Sequence, residues 1–516
     1  MRDGSQSYGL FFSLQDKITL AHAIDQLGLK YIEGGWPGSN PKDKEFFKAV
    51  KSIKFENSEI VAFGSTRKKN NSAKNDLSLN TLVDSGVNTV IIYGKSWLFH
   101  VENILKTTAE ENLSIISDSI EYLIDNDINV IFDCEHFFDG YADNPDYAIS
   151  VAKLASDSGA STIVLCDTNG GTLPSNVASA VSLISKQIKT KLGIHTHNDL
   201  GLAVANTLSA VNEGALHVQG TMNGLGERTG NVDLCQVIPI LHFKLGLQFS
   251  NSSLSQDLLV KNITSISKLV YELANLSSYP RQPFVGSSSF AHKGGVHIDA
   301  VLKHTSSYEN IDPALVGNTR ILSVSELSGR SAIIEEASKL GIALSKKDSK
   351  INNILTEIKD KESKGYYFEI ARASIHLIIL KTISSLPSPF SIHYWRTTAS
   401  NDELTNSIGE VVVKIDDSVY HETSKGNGPV HALDQAFRQA IFRHFPELEK
   451  VELINYKVTV IDDDDGTASK VRVFITFGNK SLRWSTVSVS TNILEASVSS
   501  LSEGYMYPLM INSLKK

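Results

Sequence analysis

The chain has 516 residues, 41% of them apolar, and a formal net charge of −8 with no long run of Lys or Arg. That balance excludes nucleic acid or an anionic membrane surface as the main partner, and no apolar run reaches the ~20 residues needed to span a bilayer. The three cysteines, Cys134, Cys166 and Cys235, are widely spaced and form no Cys-x-x-Cys pair. They read as small buried residues of a reducing, cytoplasmic compartment.

From its start to about residue 245 the chain alternates strand-like and helix-like stretches. Ser13 and Asp16 form a capping-box pair ahead of Ile18, Ala21, Ile24 and Leu27, which repeat at helical spacing. Apolar tracts follow at 30–36, 59–65, 87–94, 128–135, 161–168, 192–197 and 216–221. They are continuous rather than alternating, as expected of strands covered on both faces. Helical patterns at 101–123, 147–158 and 203–213 lie between them. The segment therefore reads as parallel β/α units, and closure into a (β/α)8 TIM barrel needs an eighth strand. The polar ends of the tracts hold Glu33, Arg67, Lys95, Glu135, Asp167, Thr168, His195 and His197, where a barrel places its active site.

Past residue 245 the pattern changes. Phe249-Ser-Asn-Ser-Ser-Leu-Ser-Gln256 is linker-like, and a helix is expected at about 258–274. Gly294-Gly-Val-His-Ile-Asp-Ala300 follows, with Tyr308 close behind, and Val324-Ser-Glu-Leu-Ser-Gly-Arg330 opens a further helical region that runs to about Lys381. Ser385-Leu-Pro-Ser-Pro-Phe390 reads as a linker. Beyond it lie strand-like tracts at 410–415, 451–461 and 470–476, and a helix opening in Gly426-Asn-Gly-Pro429. The expected domains are 1–245, a helical region at 246–383 and an α+β domain at 384–516. Asp462 to Asp465 form a solvated acidic turn rather than a calcium loop, because position 12 counted from Asp462 is Val473 and not Glu.

Chemistry concentrates in Gly193-Ile-His-Thr-His-Asn-Asp199. Side chains two apart on a strand share a face, so His195 and His197 present two imidazoles to one side, half of a site for a divalent metal. A glycine-rich turn, Gly224-Leu-Gly-Glu-Arg-Thr-Gly-Asn231, comes about thirty residues later, and glycines suit a backbone that folds tightly around a site. Together with the opening Met1-Arg-Asp-Gly-Ser-Gln6, these motifs resemble the acyl-CoA aldol-type synthases of the 2-isopropylmalate, homocitrate and citramalate synthase superfamily. The resemblance covers nearly the whole chain.

The resemblance implies a divalent ion (Mn²⁺, Zn²⁺, Co²⁺ or Mg²⁺) on Asp3, His195, His197 and Asn231. Arg2 would neutralise charge on the reacting carbonyl, with Arg2, Gln6, Glu135 and Thr168 around the substrates. His297 would be the base, supplied by a partner protomer and supported by Tyr308, while His292 is read as structural. Asp133 and Asp167 are either further site residues or buried hydrogen-bond partners. Stretches such as Ile32-Glu-Gly-Gly-Trp-Pro-Gly38 and Phe132-Asp-Cys-Glu-His-Phe-Phe-Asp-Gly140 look most like the citramalate branch. That branch implies pyruvate and acetyl-CoA as substrates, (R)-citramalate as product, isoleucine as effector of the C-terminal domain, and a homodimer. Bulk from Phe63, Tyr93 and Phe137 fits a pocket closed to the isopropyl group of 2-oxoisovalerate. The alternatives are a 2-isopropylmalate or homocitrate synthase or, from another class, an inactive effector-binding or dimer-partner protein. That last reading arises because the family's first strand precedes its Arg-Asp-Gly, whereas Met1 alone stands before Arg2 here; a start lying further upstream is the expectation.

Overall fold

The computed structural model describes residues 1–249, 254–324, 329–383, 387–400, 407–461, 466–479 and 482–514. It forms two compact units, Met1–Phe290 with Ile311–Thr319, and Ala291–Asn310 with Arg320–Lys516. Among the described residues no helix is long and apolar enough to cross a membrane.

The first unit is built on a parallel sheet in sequential order: β1 (Tyr31–Gly35), β2 (Glu59–Ser65), β3 (Thr89–Lys95), β4 (Asn129–Glu135), β5 (Thr162–Asp167), β6 (Lys191–Thr196) and β7 (His217–Gln219). The middle strands are buried along almost their whole length, β5 at every residue. One face, including Val130, Phe132, Ile163, Leu165 and Ile194, packs against the outer helices. The other encloses Val61, Phe63, Ile91, Ile131, Val164 and Cys166. Two-sided burial explains why these tracts lack alternation. The capping box holds as expected, with Ser13 Oγ accepting from the Asp16 amide and the Asp16 carboxylate accepting from the Ser13 amide ahead of helix Leu14–Asp25.

The expected eighth strand does not appear among the described residues. Here β1 pairs only with β2 and β7 only with β6. Between them a cavity of about 460 Å³ is lined by residues that include Tyr31, Ile32, Leu216, His217 and Gln219. The Arg2 amide donates to the Glu33 carbonyl at 3.1 Å, which ties the first residues to the polar end of β1.

Two helix expectations fail locally. The pattern at 101–123 is interrupted at Lys106, whose φ is +55°, and Thr108 then caps a new helix, Ala109–Ile124, by accepting from the Glu111 amide. A local cap outcompetes continuation of the apolar repeat. The pattern at 258–274 divides at Asn262 into Gln256–Lys261 and Ile263–Leu273.

In the second unit, β8 (Ala291–His292) pairs with β9 (Ile321–Leu322). Two antiparallel three-stranded sheets follow: β10 (Ser391–Ala399), β11 (Ser407–Ile415) and β12 (Ser418–Gly426), then β13 (Glu452–Val460), β14 (Val471–Gly478) and β15 (Arg483–Ser490). Buried residues alternate along β11 because one face is covered by helix Pro429–Phe442. Strands β10, β12 and β15 escape the sequence reading because polar residues interrupt them. The C-terminal helix Ile493–Leu514 was likewise not expected. It packs on β14 and β15, with the Phe477 ring against Gly504 where a side chain would stand. The linker readings at 250–253 and 384–386, the opening at 325–328 and the acidic turn at 462–465 lie outside the described residues.

His217, at the start of β7, has its Nε2 buried without a hydrogen-bond partner among the described residues. Burial, aided by Lys30, His195 and Lys191, pushes its imidazole down from 6.5 to about 4. Between those two pH values the unfolded chain binds more protons than the folded one, so stability falls as pH falls through that window. The urea midpoint of the wild type should therefore drop between pH 6.5 and 4, and His217→Leu should flatten that drop; an identical pH profile in the variant would contradict this.

Candidate active site

At the C-terminal end of β6, His195 and His197 project to one side, as their spacing requires. Their Nε2 atoms stand 3.3 Å apart, and Asp3 Oδ2 lies 3.3 Å from His195 Nε2. One ligand atom from each of the three falls within 4.8 Å of the others. His195 Nδ1 faces Gln219 Oε1 at 2.9 Å, which fixes its Nε2 as the nitrogen turned to the cluster. Burial, then the neighbouring His195, pushes His197 down to about 4, so it is neutral at physiological pH. Burial raises Asp3, but Arg2, His195 and His197 outweigh it and hold the carboxyl below its usual value. An ionised Asp3 carboxylate beside a neutral His197 imidazole is the protonation state that a divalent ion requires of those two ligands.

Asn231 approaches through a backbone bridge to His197, and its Oδ1 is buried without a partner among the described residues. That orphaned oxygen, the mixed N/O donor set and the facing imidazoles fit a divalent ion. The turn that delivers Asn231 needs glycine at 230, where φ is +93° and a Cβ would stand 1.9 Å from the Gly224 carbonyl oxygen.

Arg2 lies beside this cluster. Its Nε donates to Glu33 at 2.5 Å, its Nη1 to Gln6 Oε1 at 2.9 Å, and its guanidinium sits 3.6 Å over the Phe63 ring. Burial opposes the charge, yet Glu33 and Asp3 raise the guanidinium above its ordinary value. Phe63 stacks on Tyr93 at 5.6 Å, with Trp36 edge-on to both. Phe137 is not part of this wall: it is fully buried in the outer core and stacks on Tyr141.

On the far side of the sheet end, Glu135 pairs with Lys95. Thr168 Oγ1 accepts from the His136 amide at 2.9 Å, and the Thr168 carbonyl accepts from Arg228, which also grips Asp199 through two contacts of 2.8–2.9 Å. Asp133 is buried and receives Gln219 Nε2 at 2.9 Å; burial, then the charge of Glu33, pushes its carboxyl well up. Asp167 is a buried hydrogen-bond partner of Thr172 and Asn206. Arg67, by contrast, turns to Glu111 and Asp118 on an outer helix.

Within the second unit, His297 and Tyr308 are brought together, their rings stacked with centroids 4.1 Å apart. His292 bonds Glu309, which also holds Arg320. Sequence reasoning missed Gln219, which joins His195 to Asp133. The available signal was its place at the end of β7, two residues before Thr221.

Residues 1–270 match the HMGL-like family profile, residues 284–365 the homocitrate synthase post-HMGL domain-like profile, and residues 369–508 the LeuA allosteric (dimerisation) domain profile. An (R)-citramalate synthase of Sulfolobus acidocaldarius is 45% identical over all of this chain and 97% of that protein. One of Geobacter sulfurreducens is 46% identical over 99% of this chain and 96% of that protein. A 2-isopropylmalate synthase of Methanocaldococcus jannaschii is 30% identical over 98% of this chain and 92% of that protein.

His197→Ala should abolish divalent-metal retention, read by elemental analysis, while circular dichroism stays unchanged. Gln219→Leu should weaken metal affinity by about tenfold to a hundredfold, because the outer partner of a ligating histidine sets its orientation. Wild-type metal content and affinity in both variants would contradict the assignment.

Proposed function

The chain belongs to the (R)-citramalate synthases of the HMGL-like family, and from that premise we propose how its residues condense pyruvate with acetyl-CoA and water to give (R)-citramalate and CoA. The observation that carries the proposal is the convergence of Asp3, His195 and His197 beside an arginine that lies flat on an aromatic wall. Asp3, His195, His197 and Asn231 would hold a divalent ion, which would supply Lewis-acid polarisation of the ketone; Mn²⁺, Zn²⁺, Co²⁺ and Mg²⁺ would all suit the donor set.

Arg2, held by Glu33 and Gln6, stabilises the negative charge that develops on the ketone oxygen. Thr168 donates its hydroxyl hydrogen to the oxo-acid carboxylate. Glu135, paired with Lys95, lines the acyl end of the site. His297, carried from a partner protomer and stacked on Tyr308, removes a proton from the acetyl methyl. The resulting carbon nucleophile attacks the ketone carbon, and water then cleaves the thioester to release CoA. Trp36, Phe63 and Tyr93 crowd the pocket beside Arg2 and favour the methyl group of pyruvate over branched oxo acids. The convergent site supports an enzyme over an inactive partner protein.

The 384–516 segment, within which most of the LeuA allosteric match falls, binds isoleucine in this reading and joins two protomers. The enzyme works in the cytoplasm, whose reducing conditions suit three buried free thiols.

Assayed with acetyl-CoA, pyruvate should exceed 2-oxoisovalerate and 2-oxoglutarate in kcat/KM by about tenfold or more, on the scale by which apolar pockets discriminate. Equal or higher turnover of either larger acid would overturn the choice of substrate. Mixing inactive His297→Ala with inactive His195→Ala protomers should restore activity, because each mixed dimer holds one complete site. No recovery despite confirmed subunit exchange would place the base in the same chain or on another residue.

A further inference from the structure

Thr168 is useful to a carboxylate only if its hydroxyl hydrogen points to the substrate. A hydroxyl has one hydrogen and two lone pairs, so its neighbours decide which way it donates. The neighbour here is the backbone amide of His136, which donates to Thr168 Oγ1 at 2.9 Å. That contact fills a lone pair and leaves the hydroxyl hydrogen free. Arg228 holds the same residue from its other side through the carbonyl oxygen at 2.8 Å.

The His136 amide can be aimed this way because the residue has φ +57° and ψ +35°, a left-handed conformation uncommon outside glycine, which asparagine, aspartate and histidine adopt more readily than other residues. Its ring shows what secures the conformation. Nδ1 faces Asp139 Oδ2 at 3.0 Å, and the imidazole packs on His100 at 4.2 Å and on Trp97 at 5.7 Å. Trp97 is in turn held by its Nε1–H to Asp143 at 3.0 Å. The corner between β4 and the helix Phe137–Asp143 is therefore fixed by its own Asp139 and by Trp97 and His100 from the segment after β3. Nothing in the proposed reaction otherwise uses them.

We propose that His136 is a positioning residue for the oxo acid. Its ring, clamped by Asp139 and the Trp97–His100 pair, holds a left-handed corner whose amide orients the Thr168 hydroxyl as a donor to the substrate carboxylate. The inference rests on the reading of Thr168 as a carboxylate contact.

The test measures kcat and both KM values for Asp139→Ala, His136→Gly, His136→Asn, Thr168→Val and the double variant His136→Gly/Thr168→Val, with thermal unfolding as the check on folding. Asp139→Ala and His136→Gly should each raise the oxo-acid KM about fivefold to tenfold, the scale of one lost hydrogen bond, while the acetyl-CoA KM stays within about twofold. His136→Asn, which tolerates the left-handed backbone and keeps a donor for Asp139, should restore most of the affinity. The double variant should be no worse than Thr168→Val alone, because both changes remove the same contact. If Thr168→Val raises the oxo-acid KM but Asp139→Ala and His136→Gly do not, the role of His136 is overturned. The same follows if the two losses simply multiply. If Thr168→Val leaves the oxo-acid KM unchanged, the reading of Thr168 fails and this inference falls with it.

Discussion

Two imidazoles and a carboxylate forced within 4.8 Å of one another set the terms for the rest of the barrel unit. Such a cluster is unfavourable unless its charges are arranged in advance, and the surrounding contacts arrange them. Arg2 lowers Asp3, burial keeps His197 neutral, and Gln219 fixes the orientation of His195. Arg2 would itself be a costly buried cation were it not held by Glu33. Removing either partner would leave the other part-buried and unpaired, so the two act as a unit.

The parallel sheet makes this arrangement affordable. Because β2 to β6 are covered on both faces, strand ends cannot shift without disturbing packed side chains on two sides. Side chains from β1, β4, β6 and β7 meet at one end with their outer partners already hydrogen-bonded. The loops add a second layer of fixation: Arg228 ties the turn after β7 to the loops after β5 and β6, and His136 ties β4 to Thr168. Pre-organisation of this kind is what lets fixed dipoles and charges act on a reacting carbonyl without rearranging during the reaction.

Much of this was legible in the sequence for physical reasons. The buried strands β2 to β6 announce themselves as nearly unbroken apolar tracts, and His195 and His197 share a face because a strand repeats every two residues. What could not be read was whatever depends on pairing in space. Gln219 lies 24 residues from His195, and Asp133 a further 86 from Gln219, and only the sheet brings them together. The strands β10, β12 and β15 were hidden because polar residues interrupt their apolar patterns. Phe137 was misplaced because the sequence does not show that the helix opening at this residue turns its ring into the outer core. The break at Lys106 reflects a local cap that no apolar repeat records.

If the cluster of Asp3, His195 and His197 is the place where the oxo acid is received, pyruvate binding must depend on a divalent ion before acetyl-CoA arrives. Calorimetric titration of pyruvate into the chelator-treated protein, with and without added Mn²⁺, tests that dependence directly. The expected result is a saturable binding heat that appears only with the metal and is lost in Asp3→Asn. Pyruvate binding of equal affinity to the metal-stripped protein would contradict it.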